Sequence, residues 1–271
     1  SAMSYEQILY ELSDTTAVVT INRPDKMNTW NADVASELSQ ALGQANMDDK
    51  VRAVVITGAG RAFCAGADLE RGEETFAGRD EKKSSNSETP ALLYPYQIDK
   101  PVIAAINGAA VGVGMTYPML CDIRYGAEDA KMGFVFTRRG MMPELAAHVL
   151  VQRVAGFSNA SDLLLSGRIF RGAEAAQMGI VSEALPADQV LDRALAHAAE
   201  YRLTAPVSVA ITKRLLWQGL SNSVPEMLAK EGPLFAWVGN QEDAKEGILS
   251  FVEKREPAWH LSVARDMPDI L

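Results

Sequence analysis

The sequence has few of the residues that hold metals or form disulfides. Among 271 residues there are three histidines and two cysteines. His148, His197 and His260 are scattered, with no cysteine or carboxylate at ligand spacing, so no metal site is predicted. Cys64 and Cys121 lie in apolar surroundings. We expect them to be buried, reduced thiols of an intracellular, cytoplasmic protein.

The chain also has no excess of positive charge. The chain has 26 Lys and Arg against 35 Asp and Glu, a net charge of −9. This balance argues against nucleic acid as a partner, because phosphates require a basic face. With 48% apolar residues, the chain is long enough to bury the core of one large domain, or of one domain with an appendage.

Long apolar runs are scarce as well. The longest uncharged stretch, residues 101–121, would be long enough for a membrane span. Its glycines, Asn107 and Pro118 make it a poor lipid-facing helix, so we favour a buried strand, turn and helix and expect no membrane partner. No basic and apolar leader is seen, and residues 1–3 resemble the remnant of an expression tag.

The order of elements indicates an α/β protein. Strands are predicted at 17–22, 51–57, 102–106 and 179–184. A helix follows Asn31, with its buried face at Val34, Leu38, Ala41, Leu42 and Ala45. Strand, helix and strand of this length predict a right-handed crossover and a parallel sheet. We expect a mobile polar loop over 70–90, a helix starting near Pro143, and breaks between C-terminal helices at Pro206, Pro225 and Pro233.

Two turns rich in Gly and Ala each follow an apolar run. Residues 63–69 read Phe-Cys-Ala-Gly-Ala-Asp-Leu, and residues 107–114 read Asn-Gly-Ala-Ala-Val-Gly-Val-Gly. Small residues let a ligand approach the main chain closely. Two such turns can aim two backbone N–H groups at one oxygen, the arrangement that acyl-transfer or enolate chemistry requires.

A dinucleotide site is the alternative for the second turn. Gly108, Gly112 and Gly114 have the spacing seen in short-chain dehydrogenases, and Tyr96 and Lys100 form a Tyr-x-x-x-Lys match. In that fold, however, the glycine turn comes first and the Tyr-Lys pair far downstream. Nucleophilic catalysis is also disfavoured, because Cys64 has no histidine nearby and no serine elbow is present. Chemistry by backbone N–H groups and a carboxylate remains.

Several ordered motifs, spread from about residue 5 to 260, resemble the crotonase superfamily of enoyl-CoA hydratases and isomerases. They are the segments at 22–28, 63–69, 100–114 and 121–124, those at 166–168 and 173–181, and that at 246–255. The resemblance implies an α/β spiral of repeated ββα units over residues 4–200. It also implies a helical region at 201–271 that builds homotrimers or hexamers, and an acyl-CoA substrate with no separate cofactor.

The resemblance also assigns residues to the site. The oxyanion hole would use the N–H groups of Ala67 and Val113, provided that Val113, where the family usually has Gly, keeps a negative φ. Asp68 is expected to cap a helix after the first turn, and Asp122 and Arg124 to form a structural ion pair or cap. Residues at the positions of the family's CoA and substrate contacts are Lys26, Ala65, Gly66, Asp68, Leu69, Gly112, Gly114, Phe251 and Lys254.

The sequence departs from the family at its two catalytic glutamates. Thr116 and Phe136 stand at those positions, and neither can transfer a proton usefully. Glu144, in a Pro-Glu pair, resembles the single glutamate of the Δ3,Δ2-enoyl-CoA isomerase branch. Burial against the acyl pocket would raise the pKa of its carboxyl toward working pH. A role in the first turn of a helix is the structural alternative for Glu144, and His148, one turn later, could orient it or be a plain surface residue.

These assignments lead to a ranked set of functions. Isomerisation of a 3-enoyl-CoA by Glu144 is preferred, because one carboxylate can take a proton at C2 and return it at C4. Enoyl-CoA hydration is the alternative. A catalytically silent acyl-CoA-binding protein is the third possibility, since the glutamate pair is missing.

Overall fold

The computed structural model describes residues 4–78 and 91–269. Ten strands form two sheets in this part of the chain. The strands are β1 (Ile8–Ser13), β2 (Thr16–Ile21), β3 (Ala53–Gly58), β4 (Ala62–Cys64), β5 (Val102–Ile106), β6 (Ala109–Val111), β7 (Ile123–Ala127), β8 (Lys131–Gly133), β9 (Ile169–Arg171) and β10 (Glu183–Leu185). The larger sheet has the order β1-β2-β3-β5-β7-β10, and the smaller sheet has the order β4-β6-β8-β9.

The chain repeats one pattern three times. Each of β3, β5 and β7 in the larger sheet is followed within a few residues by β4, β6 or β8 in the smaller sheet. The pairs β3–β5, β5–β7, β4–β6 and β6–β8 are all parallel. Successive repeats therefore stack side by side, and the ends of β4 and β6 lie next to each other. This confirms the α/β fold and the parallel pairing expected between β2 and β3.

Ten α-helices surround or extend these sheets in the described residues. They are α1 (Ala32–Met47), α2 (Val113–Thr116), α3 (Ala147–Ala155), α4 (Phe157–Ser166), α5 (Gly172–Met178), α6 (Val190–Glu200), α7 (Pro206–Gln218), α8 (Val224–Gly239), α9 (Glu242–Glu253) and α10 (Val263–Asp266). Helix α1 buries the five residues that its sequence period predicts, and the Asn31 side chain accepts a hydrogen bond from the Val34 N–H as its N-cap.

Three predicted boundaries are wrong. The helix expected near Pro143 begins at Ala147. Pro233 lies inside α8, although Pro206 and Pro225 do lie in the first turns of helices. The last strand begins at Glu183 rather than Gly179, because Gly179, with φ of 83°, caps the preceding α5. Part of the predicted mobile loop, residues 79–90, lies outside the described residues.

The core consists of a large cluster of buried side chains from Ile8 to Ala198, and of a smaller one at Val207, Ile211 and Leu234. Cys64 and Cys121 are buried free thiols, as expected. The stretch 101–121 forms β5, β6 and α2. No described helix combines the length and the apolar character needed to cross a membrane.

Asp122 and Arg124 have structural roles but do not pair with each other as expected. The Asp122 carboxylate pairs with Lys213 at 2.8 Å and accepts a hydrogen bond from the Trp217 indole at 2.8 Å. The buried Arg124 guanidinium donates to the carbonyl oxygens of Cys121 and Ile180. These contacts attach α7 and the segment after α5 to the start of β7 in the larger sheet.

Candidate active site

The first glycine turn runs beside residues 27–30 like a short parallel strand. The Trp30 N–H donates to the Gly66 carbonyl, and the Asp68 N–H donates to the Trp30 carbonyl, both at 2.8 Å. In such a bridge the residue between the two contacts, Ala67, turns its own N–H and C=O away from the neighbouring strand. The Ala67 amide is therefore directed away from Trp30.

The second turn presents the Val113 amide at the start of a short helix. Gly112, with φ of 59°, precedes the short helix α2, and the N–H groups of Met115 and Thr116 donate to its carbonyl. Val113 is the first residue of α2, where an N–H has no partner within its own helix. Val113 does not occur among the described residues with positive φ. The expectation that Val113 keeps a negative φ is therefore confirmed.

The two turns are in direct contact. A Cβ atom added to Gly112 would lie 3.8 Å from the Gly66 Cα, and one added to Gly66 would lie 3.3 Å from the Val111 carbonyl oxygen. At Gly114 a Cβ would lie 1.9 Å from the Cys64 carbonyl oxygen. Glycine at this position is what allows α2 to pack against the end of β4.

A cavity of about 710 Å³ adjoins both turns. Its lining includes Ala67 and Val113 from the turns, and Glu144 from the segment before α3. Ala65, Gly66, Asp68, Leu69 and Gly112 line it too. The three residues assigned to catalysis from the sequence thus share one cavity, although they are far apart in the chain.

Asp68 does not cap a helix as expected. Its carboxylate pairs with the Arg23 guanidinium at 2.8 Å and accepts the Glu70 N–H at 3.0 Å. The hydrogen bond from Arg23 lowers the pKa of the Asp68 carboxyl. The next element is a single 3-10 turn at Gly72–Glu74. Asp68 therefore anchors the first turn to the segment that contains Arg23, a residue that the sequence analysis had not assigned to the site.

Glu144 sits on a strained piece of backbone. Leu145 and Ala146, which connect it to α3, have φ of 53° and 60°, a region that residues with a Cβ rarely adopt. The Ala147 N–H donates to the Glu144 carbonyl at 3.1 Å and closes this turn. Glu144 thus precedes α3 by three residues. It is not a first-turn residue, and the expected burial is wrong, since it is exposed where it lines the cavity.

Known proteins share the sequence pattern and the fold of this chain. The model of the enoyl-CoA hydratase/isomerase family matches residues 11–262. The chain belongs to this family. The crystal structure of a probable enoyl-CoA hydratase/isomerase from Mycobacterium abscessus has a TM-score of 0.87 and 35% identity, and covers 93% of this chain and 98% of that one. Its match confirms the crotonase fold.

Curated relatives of the family match over nearly their whole length. A probable enoyl-CoA hydratase of Rhodobacter capsulatus is 37% identical over 94% of this chain and 98% of the relative. The 2,3-dehydroadipyl-CoA hydratase of Escherichia coli is 34% identical over 89% of this chain and 93% of the relative. The names of these relatives agree with hydration rather than with the isomerisation preferred from the sequence.

The two positions where the family resemblance expects glutamates differ in their surroundings. Phe136 lines the cavity and is nearly buried. Thr116 is fully buried, and its hydroxyl has no hydrogen-bond partner among the described residues. Neither supplies a carboxylate. Among the described residues that line the cavity, the carboxylates are those of Asp68, Glu70 and Glu144.

Several predicted site residues do not line the cavity within one chain. Lys26 pairs with Glu70, a lining residue, and so lies near its rim. Gly114 packs behind the second turn. His148 is exposed on α3, while Phe251 and Lys254 are exposed at the end of α9. Across residues 4–78 and 91–269, His, Cys, Asp and Glu side chains form no group that could hold a metal.

Other lining residues were not assigned to the site from the sequence. Tyr94 and Tyr117 line the cavity, as do Arg71 and Arg139. Burial, and then the charge of Glu144, raises the pKa of the Tyr94 hydroxyl. Tyr117 could have been found, because it lies one helical turn after Val113. Tyr94 precedes β5 by several residues, and no local pattern indicates which way it faces.

Proposed function

We propose that this protein binds an acyl-CoA thioester and stabilises its enolate with the N–H groups of Ala67 and Val113. The observation that supports this most directly is the contact between the two glycine turns at one wall of a cavity. When a proton leaves the thioester's α-carbon, negative charge develops on the carbonyl oxygen. Two fixed N–H donors stabilise that charge more than they stabilise the neutral thioester, which lowers the barrier.

Glu144 is the group that we assign to proton transfer. Asp68 anchors the first turn through its ion pair with Arg23, and Glu144 stands where the single glutamate of the isomerase branch is expected from the family resemblance. Glu144 lines the same cavity from the segment before α3, on a backbone shaped by the positive φ of Leu145 and Ala146. A carboxylate in that position can accept a proton from carbon or water and return it in the next step.

Hydration of a 2-enoyl-CoA is the first candidate reaction, because the curated relatives are named hydratases. Water would add to C3 while Glu144 takes a proton from it, and the enolate would then be protonated at C2. Isomerisation of a 3-enoyl-CoA is the second candidate, and the absence of carboxylates at Thr116 and Phe136 favours it. There Glu144 would take the C2 proton and return it to C4, with the charge held on the thioester oxygen between the two steps.

The experiment measures both reactions with the same protein. Wild type and the Glu144→Gln variant are assayed with crotonyl-CoA for hydration and with 3-hexenoyl-CoA for isomerisation. We expect the dominant activity to fall by at least about 10²-fold in the variant, since general acid–base catalysis contributes about 10²–10⁴-fold. Asp162→Asn, far along the chain in a surface ion pair with Arg168, is the matched carboxyl-to-amide control.

The outcomes separate three functions. Hydration lost in Glu144→Gln supports the first candidate, and isomerisation lost supports the second. An activity that the variant retains would remove Glu144 from the chemistry. Binding of CoA thioesters with no turnover of either substrate would identify a silent acyl-CoA-binding protein.

We also propose that residues 201–271 form a helical region that joins copies of the chain into homotrimers or hexamers. Helices α8 and α9 expose many large apolar side chains, among them Leu228, Phe235, Ile248, Phe251 and Val252. Large exposed apolar patches commonly mark protein interfaces. In such an assembly Phe251 and Lys254 could approach a CoA molecule bound by a neighbouring copy. A cytoplasmic location and the absence of a separate cofactor remain predictions.

A further inference from the structure

Backbone hydrogen bonds hold two aromatic residues next to the two proposed oxyanion residues. Trp30 flanks Ala67 through the bridge in which its N–H and C=O bond to Gly66 and Asp68. The Tyr117 N–H donates to the Val113 carbonyl at 3.0 Å. The positions of both aromatic residues therefore follow the positions of the amides that would bind the thioester oxygen.

The two rings contact each other at the cavity wall. The Trp30 and Tyr117 ring centroids lie 4.7 Å apart, with the planes tilted by 51°. Both residues line the cavity, as do three further aromatic side chains, Phe76, Tyr94 and Phe136. Only 7% of the whole chain is aromatic. Aromatic side chains are thus concentrated in the lining of the cavity that adjoins the two amides.

The Tyr117 hydroxyl does not account for the placement of this ring. Tyr117 is 2% exposed, and its hydroxyl is buried without a hydrogen-bond partner among the described residues. Burial raises the pKa of this phenol well above its ordinary value, so it stays neutral. A phenylalanine would satisfy the packing at lower desolvation cost. Tyr117 therefore contributes to the cavity lining as a neutral, largely buried ring in contact with Trp30.

We propose that the preferred acyl group carries an aromatic ring close to the thioester, held against Trp30 and Tyr117. This inference rests on the proposed acyl-CoA function and names its substrate class. A ring in the acyl chain can meet the two side chains in offset or edge-to-face geometry, which a flexible alkyl chain cannot. It also loses less conformational freedom on binding than an alkyl chain of similar size. The competing explanation is that the rings fill the pocket and admit only a short acyl chain.

Binding of saturated thioesters tests the inference without depending on the reaction catalysed. We would measure Kd by calorimetry for 3-phenylpropionyl-CoA, octanoyl-CoA and butyryl-CoA with the intact wild-type protein. Octanoyl-CoA offers comparable apolar area without a ring, and butyryl-CoA is the short chain. We expect 3-phenylpropionyl-CoA to bind about tenfold more tightly than octanoyl-CoA, within the range that aromatic pairs supply.

Variants then test whether the rings of Trp30 and Tyr117 cause the preference for 3-phenylpropionyl-CoA. Trp30→Leu and Tyr117→Leu remove one ring each, and the ratio of the two Kd values is expected to fall toward one. Tyr117→Phe keeps the ring and removes only the unpartnered hydroxyl, so it is expected to keep the ratio. Circular dichroism spectra and melting temperatures identify a variant that has not folded, and Trp30→Phe then replaces Trp30→Leu as a milder change, with a smaller loss expected.

Each result has a defined meaning. Equal or tighter binding of octanoyl-CoA would overturn the inference in favour of an alkyl chain. Tightest binding of butyryl-CoA would overturn it in favour of a pocket shortened by the rings. A preference for the phenyl compound that Trp30→Leu and Tyr117→Leu leave unchanged would also overturn it. If none of the three thioesters binds, the proposed function fails as well, which is a different result from failure of the ring preference alone.

Discussion

Arg23 and Asp68 are joined by an ion pair of 2.8 Å in which both side chains are largely buried. The pair connects the turn after β2 to the turn that presents the Ala67 amide. The same Arg23 guanidinium also contacts the Thr29 carbonyl, so one side chain holds both segments. The position of the Ala67 amide, the first of the two proposed oxyanion donors, therefore depends on an ion pair between side chains that take no part in the proposed chemistry.

Removing one charge of this pair is predicted to impair catalysis more than substrate binding. Asp68→Asn leaves a largely buried Arg23 guanidinium without its carboxylate, so the first turn should loosen. We expect kcat to fall by about tenfold or more with a smaller change in KM, because the role proposed for the Ala67 amide is exerted mainly in the transition state. Steady-state kinetics of the preferred reaction check this. Unchanged kcat would show that the turn holds its position without the pair.

The same pair predicts a pH dependence of stability. Since Arg23 lowers the pKa of Asp68 in the folded protein, the unfolded chain binds a proton more readily than the folded protein. The stabilisation is present above the ordinary carboxyl pKa of about 4 and is lost as the pH falls below it. The melting temperature of wild type should therefore exceed that of Asp68→Asn above about pH 4. This difference should shrink as the pH falls below about 4. A constant difference would contradict the assignment.

Gly114 provides a test of the close contact between the two turns. A Cβ here would lie 1.9 Å from the Cys64 carbonyl oxygen, so Gly114→Ala must push α2 away from β4. We expect about 2 kcal/mol or more to be lost from the free energy of unfolding, a size usual for backbone clashes and overpacking. Activity should fall too. Chemical denaturation and kinetics measure the two effects.

Gly43 supplies the matched control. It lies inside α1, where an added Cβ would meet only the Leu93 Cδ2 atom, at an ordinary contact distance of 3.9 Å. Gly43→Ala should raise the free energy of unfolding by about 0.5–1 kcal/mol through helix propensity. If both substitutions had the same effect, the contact between the turns would not matter for stability.

The parts of the fold that could be predicted from the sequence depend on local periodicity. Helix α1 was predicted with its whole buried face, because Val34, Leu38 and Ala45 repeat at the spacing of one helix face. Strand β5 was also predicted with its full extent. The two glycine turns could be identified as a pair, because each places several Gly and Ala residues directly after an apolar run.

The errors arise where tertiary contacts outweigh local signals. Pro233 was expected to end a helix, but the carbonyl that it leaves unbonded belongs to Ala229 on an exposed helix, where water can bond it. The helix start at Pro143 was misplaced because nothing in the sequence signals that Leu145 and Ala146 adopt positive φ. The burial expected for Glu144 was inferred from the chemistry alone.

The strained turn after Glu144 leads to a prediction about stability and activity. Ala146→Gly removes the steric cost of φ near 60°, and should raise the free energy of unfolding by about 0.5–1 kcal/mol. Ala146→Val should lower it by more than about 1 kcal/mol, since a β-branched residue tolerates this region poorly. We also expect lower kcat in Ala146→Val through displacement of Glu144. If the Gly variant were destabilised, the positive φ would not be a source of strain.

Lys100 predicts a second pH effect, at alkaline pH. Its ammonium is buried and donates to the Ala45 carbonyl at 2.7 Å, and burial lowers its pKa to about 8. Between about pH 8 and 10 the unfolded chain therefore holds a proton at this side chain that the folded protein has released. Stability should rise with pH in this window. Lys100→Met should lack that increase when melting temperatures are compared from pH 7.5 to 10, and equal slopes would contradict the assignment.

The apolar face of α8 and α9 leads to the last prediction. Phe235 and Ile248 are 84% and 70% exposed in the single chain, and a face of this kind is not expected to remain in water. Light scattering of wild type should give the mass of a trimer or hexamer. Ile248→Lys should dissociate it, because burying an unpaired ammonium in an interface is costly. Leu12→Lys, at a 50% exposed position of β1, is the matched control and should leave the mass unchanged. If wild type is monomeric, other copies of the chain do not cover this face, and the proposed assembly is wrong.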